Sequence, residues 1–109
     1  NTWTSVCYSS LLNLLVAVSN SGTGNRVMTS SNATSWTSRT SAADNNWTSV
    51  CWAPELSLFI AVSNNGTNNN IIISYDGINW SSQYIPSNVE WTNLIIYNND
   101  YIFIIIKKI

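Results

Sequence analysis

A chain of 109 residues and 12.1 kDa is enough for one small domain and too little for two ordinary ones. Four Lys or Arg against five Asp or Glu leave a net charge of -1, so no basic face exists to grip the phosphates of a nucleic acid. Histidine is absent, which excludes Ser-His-Asp and Cys-His catalysis and His-ligated metal sites within one chain. Carboxylate, Tyr, Lys and Cys chemistry remain. Six Trp and five Tyr among many Ser, Thr and Asn favour strands and turns, and almost no helix is expected. No uninterrupted apolar stretch, Ile102 to Ile106 included, approaches the roughly 20 residues of a membrane-spanning helix. Asn1-Thr2-Trp3 shows neither an initiator Met nor a basic-then-apolar leader, so no signal peptide is read, either a processed or an artificially cut boundary is expected, and no compartment is read.

The chain repeats itself with a period of 44 residues. Trp3-Thr4-Ser5-Val6-Cys7 returns as Trp47-Thr48-Ser49-Val50-Cys51, and Ala17-Val18-Ser19-Asn20 as Ala61-Val62-Ser63-Asn64. Gly22-Thr23, Ser30 and Trp36 match Gly66-Thr67, Ser74 and Trp80, and Trp91 continues the register of Trp3 and Trp47. About 18 of the first 44 positions are identical to those 44 later. The units run over about 1–44, 45–88 and an incomplete 89–109.

Each unit reads as four short strands. In the first, Leu14 to Val18 is continuously apolar, which calls for cover on both faces. In the second, strands are expected at Thr48 to Ala53, Leu58 to Ser63, Asn70 to Ser74 and Trp80 to Tyr84, with breaks at Pro54-Glu55, Asn64 to Asn69 and Asp76-Gly77. In the third, Leu94 to Ile106 reads as a hairpin turning at Asn98-Asn99-Asp100. Four strands per unit of this length match a β-propeller blade, giving an all-β fold of about two and a half blades of antiparallel strands.

Ser74-Tyr75-Asp76-Gly77-Ile78-Asn79-Trp80 resembles the Asp-box, or BNR repeat, with one residue fewer between Asp and Gly than the family pattern. That family includes sialidases, sortilin-type receptors and photosystem-assembly propellers. The resemblance implies a propeller in which Ser74, Asp76, Gly77 and Trp80 are structural, on the turn between the third and fourth strands. Asp76 accepts backbone N–H groups, Gly77 takes positive φ and Trp80 packs between sheets. The aligned Ser30-Ser31-Asn32-Ala33-Thr34-Ser35-Trp36 lacks Asp and Gly, and Ala33 is expected to cost stability if positive φ is needed there.

The sialidase branch asks for several arginines, a Tyr nucleophile with its acidic partner and an Asp acid/base. Only Arg26 and Arg39 exist, so no catalytic residue carries over, and no cofactor or metal site is read. The 44-residue spacing of Trp3, Trp47 and Trp91, and of Trp36 and Trp80, assigns these rings to packing between units. Trp52 and its counterpart Tyr8 are candidate ligand contacts, with Glu55 and Asn68 on neighbouring loops. Cys7 and Cys51 hold equivalent places in successive units and are expected as free thiols. The sequons at Asn32, Asn46, Asn65 and Asn79 matter only if the chain is secreted, and Lys107-Lys108 reads as the guard of an edge strand.

A propeller closes with four to eight blades. Either several chains assemble or the chain is a piece of a longer protein. Three chains giving two complete units each make about six blades; two chains make four full blades and two incomplete ones. The expectation is a homo-oligomer and a non-enzymatic module that binds a glycan or protein surface. The alternatives are a sialidase-like glycoside hydrolase propeller and a purely structural repeat fragment.

Overall fold

A computed structural model describes residues 1–54, 56–66 and 70–83 in full and 91–97 and 101–106 as backbone. The strands are β1 (Trp3–Ser9), β2 (Leu14–Ser19), β3 (Val27–Ser30), β4 (Thr37–Arg39), β5 (Trp47–Ala53), β6 (Leu58–Ser63), β7 (Ile71–Ser74), β8 (Ser81–Gln83), β9 (Trp91–Tyr97) and β10 (Tyr101–Ile106). Among the described residues there is no helix, and so none long and apolar enough to cross a membrane. The all-β expectation holds, and second-unit boundaries fall within one residue of those expected, apart from Tyr84, which lies outside the described residues.

Two four-stranded antiparallel sheets, β1-β2-β3-β4 and β5-β6-β7-β8, follow chain order, and β9 pairs with β10 in a third, two-stranded sheet. The first two share one register: Tyr8 pairs with Leu15 and Trp52 with Phe59. Each has a register shift between its tryptophan and the serine two places on. There the Thr48 hydroxyl donates to the Val62 carbonyl at 3.3 Å, and Thr4 Oγ1 lies 3.2 Å from the Val18 carbonyl while its proton goes to the shorter contact across the junction. Each first hairpin turns on a left-handed residue, Asn13 (φ 51°) and Ser57 (φ 54°). The third sheet departs from the period: Ile96, at Tyr8's place, pairs with Ile102, one residue earlier than a 44-residue spacing puts it. Its turn, Asn98 to Asp100, lies outside the described residues.

Alternation along the strands sorts side chains onto two faces of each sheet, here called front and rear. The front of the second sheet carries Trp47, Val50, Trp52, Phe59, Ala61, Ile72 and Trp80. It packs against the rear of the first, where Cys7, Leu14, Val16, Val18 and Val27 meet it in one apolar cluster. Phe59 is the hub, its centroid 4.7 Å from that of Trp52 and 6.2 Å from that of Trp80, both rings tilted as aromatic quadrupoles prefer. Fully burying rings such as Trp47 and Phe59 contributes roughly 2–3 kcal/mol each. The rear of the second sheet forms another cluster of Cys51, Ala53, Leu58, Ile60, Val62, Ile71 and Ile73, and β9 lies close to β5 and β6. Every residue of β6 is consequently buried, as its unbroken apolar sequence demands.

Polar groups align the sheets. Thr4 Oγ1 donates to the Trp47 carbonyl, and Val50 N donates to Ser5 Oγ at 3.1 Å, so β1 side chains serve the free backbone edge of β5. Arg26 closes the polar end: its Nη1 donates to the Asn20 and Asn45 carbonyls at 2.9 and 3.0 Å, and its Nε to the Gly22 carbonyl at 2.8 Å. Cys7 and Cys51 are free, as expected. Burial, and for Cys7 also the nearness of Cys51, pushes both thiols up to about 12, which leaves them protonated and unreactive at neutral pH.

Candidate functional site

The turn between β7 and β8 is held by side-chain-to-backbone hydrogen bonds. Asp76 Oδ1 accepts the Ile78 and Asn79 N–H groups, both at 2.8 Å, and the Ser74 hydroxyl at 3.0 Å, while Asn79 Nδ2 donates to its Oδ2 at 2.8 Å. Ser74 Oγ accepts the Gly77 N–H at 2.7 Å, and the Trp80 indole N–H donates to the Gly77 carbonyl at 2.9 Å. The Asn79 N–H leads in holding the Asp76 carboxyl well below the usual carboxylate range; burial opposes it, and the Ile78 N–H and the Asn79 and Ser74 side chains add to the lowering.

The first unit repeats this network without the carboxylate. Asn32 Oδ1 accepts the Thr34 and Ser35 N–H groups at 2.9 and 2.8 Å, Ser30 Oγ accepts that of Ala33 at 2.9 Å, and Trp36 Nε1 donates to the Ala33 carbonyl at 3.3 Å. Ala33 takes φ 65° where Gly77 takes 79°, so the left-handed conformation is required in both copies. Packing distinguishes them. A Cβ on Gly77 would stand 2.6 Å from Leu14 Cδ2, 3.3 Å from Phe59 Cε2 and 3.4 Å from Val16 Cγ2, while Ala33 is exposed and has room for its methyl.

Trp52 is half-buried between the sheets, and Tyr8 at the equivalent place is 50% exposed with its hydroxyl donating to Asn13 Oδ1 at 2.8 Å. Glu55 and Asn68 lie outside the described residues. Of the tryptophans assigned to packing, Trp47 is fully buried and Trp80 packs against the same cluster, but Trp3 remains 37% exposed. Trp3 and Trp36 instead line an apolar cleft of about 310 Å³ with Val6, Ala17 and Met28.

A polar cleft of about 410 Å³ lies between the two sheets, where Ser38, Arg39 and Ser41 after β3 face Ile78, Asn79 and Trp80 of the second-unit turn. Arg39 also lines a neighbouring cleft of about 340 Å³ with Thr29, Ser30 and Asn32. Its Nε donates to Thr29 Oγ1 at 3.0 Å, which positions a guanidinium between the two hollows. Sequence reading passed over this site because its walls come from residues about 40 apart. The available signal was that Arg39 is one of only two arginines. Neither a family model nor a curated protein matches the chain.

Ala33→Gly is expected to raise stability by roughly 0.5–1 kcal/mol, since relief of the left-handed methyl exceeds the entropy glycine adds to the unfolded chain. Gly77→Ala is expected to lower it by about 2 kcal/mol through strain and the Leu14 clash; urea unfolding of both checks the pair. Because the folded-state value of Asp76 lies below the ordinary 3.8, its contribution is full above that value and is lost as pH falls through the folded-state value. Asp76→Asn, which places in this turn the residue the first unit already uses, is expected to flatten the fall in melting temperature between about pH 5 and pH 2. An unchanged acid slope would show that Asp76 contributes nothing to it.

Proposed function

We propose that the chain is a non-enzymatic binding module of β-propeller type, its four-stranded units acting as blades and the Arg39 cleft taking a glycan. The observation that carries this reading is the chemistry of the cleft between the sheets. Ser38, Ser41 and Asn79 bring neutral hydrogen-bonding groups, Arg39 a fixed cation and Trp80 an aromatic wall, a combination suited to sugar hydroxyls with an acidic substituent. The blade reading is supported by the 44-residue period, the two sheets of identical strand order and the front-on-rear packing. The turn between β7 and β8 follows Asp-box logic, with Asp76 spent on turn N–H groups and Ser74, Gly77 and Trp80 completing the staple. A carboxylate so engaged, and held in its charged form, is poorly placed for acid/base work, which favours binding over hydrolysis.

A glycan microarray probed with the full chain is expected to show selective binding to acidic glycans. Arg39→Ala is expected to weaken it tenfold or more, the loss of a charge-assisted hydrogen bond. An array at background, or an Arg39→Ala variant that binds like the parent, would remove the basis for this reading.

A further inference from the structure

Inside this chain one sheet front is covered and its equivalent is open, and the covered one supplies a template for what fits the other. Trp47, Val50, Trp52, Ile72 and Trp80 of the second sheet are buried or half-buried against Leu14, Val16 and Val18 of the first. The residues 44 positions earlier are Trp3, Val6, Tyr8, Met28 and Trp36. Trp3, Val6 and Tyr8 are 37%, 58% and 50% exposed, and Trp3, Val6, Met28 and Trp36 rim the 310 Å³ apolar cleft. Exposed apolar side chains gathered on a face whose repeat is an interface mark a contact surface.

The internal interface also specifies the shape of the occupant. Close approach from the first sheet to the second comes from β1 and β2 onto β5, with Thr4 and Ser5 bonded to the Trp47 carbonyl and the Val50 N–H. The two inner strands therefore supply most of the cover of a front, with Val27 of β3 beside them, and β9 and β10 are an equivalent inner pair. By the β9 alignment, Thr92 and Asn93 stand where Thr4 and Ser5 stand in β1. By the β9–β10 register, Tyr101, Phe103 and Ile105 hold the places of Leu14, Val16 and Val18. The backbone of β9 lies close to β5 and β6, so one side of this hairpin is turned to the second sheet and its opposite side is the counterpart of the first sheet's rear.

We infer that the open front of the first sheet is an interface for a second copy of this chain, covered by the β9–β10 hairpin of that copy in the geometry by which β1–β2 covers β5. The contact is head to tail, and two such contacts close a pair. Three sheets per chain give a pair six sheets, inside the four to eight with which propellers close. The inference deepens the propeller reading by naming the partner of the module, and it uses a face distinct from the Arg39 cleft.

The test is the mass of the full chain by light scattering after size exclusion, for the parent and for Val6→Glu. Val6 is exposed within the single chain, so a glutamate there leaves the fold intact, and an unchanged circular dichroism spectrum checks this. The expected result is twice 12.1 kDa for the parent and 12.1 kDa for Val6→Glu. A parent that is monomeric up to about 100 μM, which excludes pairing with a Kd below roughly that value, overturns the proposal, and so does an assembly that Val6→Glu leaves intact. Glycan binding through Arg39 is read separately on the same samples, so loss of pairing and failure of the binding reading are distinguishable.

Discussion

A four-stranded sheet whose middle strand is apolar on both faces cannot be stable alone, because water would contact Phe59 or Ile60 whichever way the sheet turned. Here the front of the second sheet rests on the rear of the first, with Phe59 between Trp52 and Trp80 and facing the valine side of β2. The Thr4 and Ser5 hydroxyls satisfy backbone groups of β5 at the same junction, so apolar burial and hydrogen bonding select a single alignment. Three further features of the described residues lie at this junction: the polar ends that Arg26 ties together, the Asp76 turn against Leu14, and the cleft around Arg39.

The same contact explains why two copies of one sequence pattern differ where they do. Gly77 lies under Leu14 and Val16 and tolerates no methyl, whereas Ala33 occupies the same left-handed turn in the open. Trp52 has Phe59 beside it, while Tyr8 stands exposed and turns its hydroxyl to Asn13. Trp47 is fully buried and Trp3 is not. Each pair shares a backbone position, so the difference comes from the presence or absence of a neighbouring sheet.

The strands, their order and the turn chemistry were legible in the sequence because they are local: a period of 44, unbroken apolar runs, and Asp-Gly or Asn at the turns. Which repeated tryptophans would be buried was not legible, since a repeat predicts a shared position and is silent on whether another sheet arrives to cover it. The one-residue register change in β9–β10 escaped notice because only Trp91-Thr92 anchored the third unit. The Arg39 cleft was equally hidden. It joins residues 38–42 to 78–80, and no periodicity links an arginine in one unit to the turn of the next.

The account stands on the contact between the two sheets, and a double-mutant cycle on Val16→Ala and Phe59→Ala by urea unfolding measures it most directly. These residues sit on opposite sides of the junction, in different units, and within van der Waals reach of the same point beside Gly77. If the sheets pack as described, the two losses are coupled by about 1 kcal/mol, because each truncation opens the space the other would have filled. Losses that add to within about 0.3 kcal/mol would mean that the two side chains do not meet, and that the sheets are not stacked front on rear.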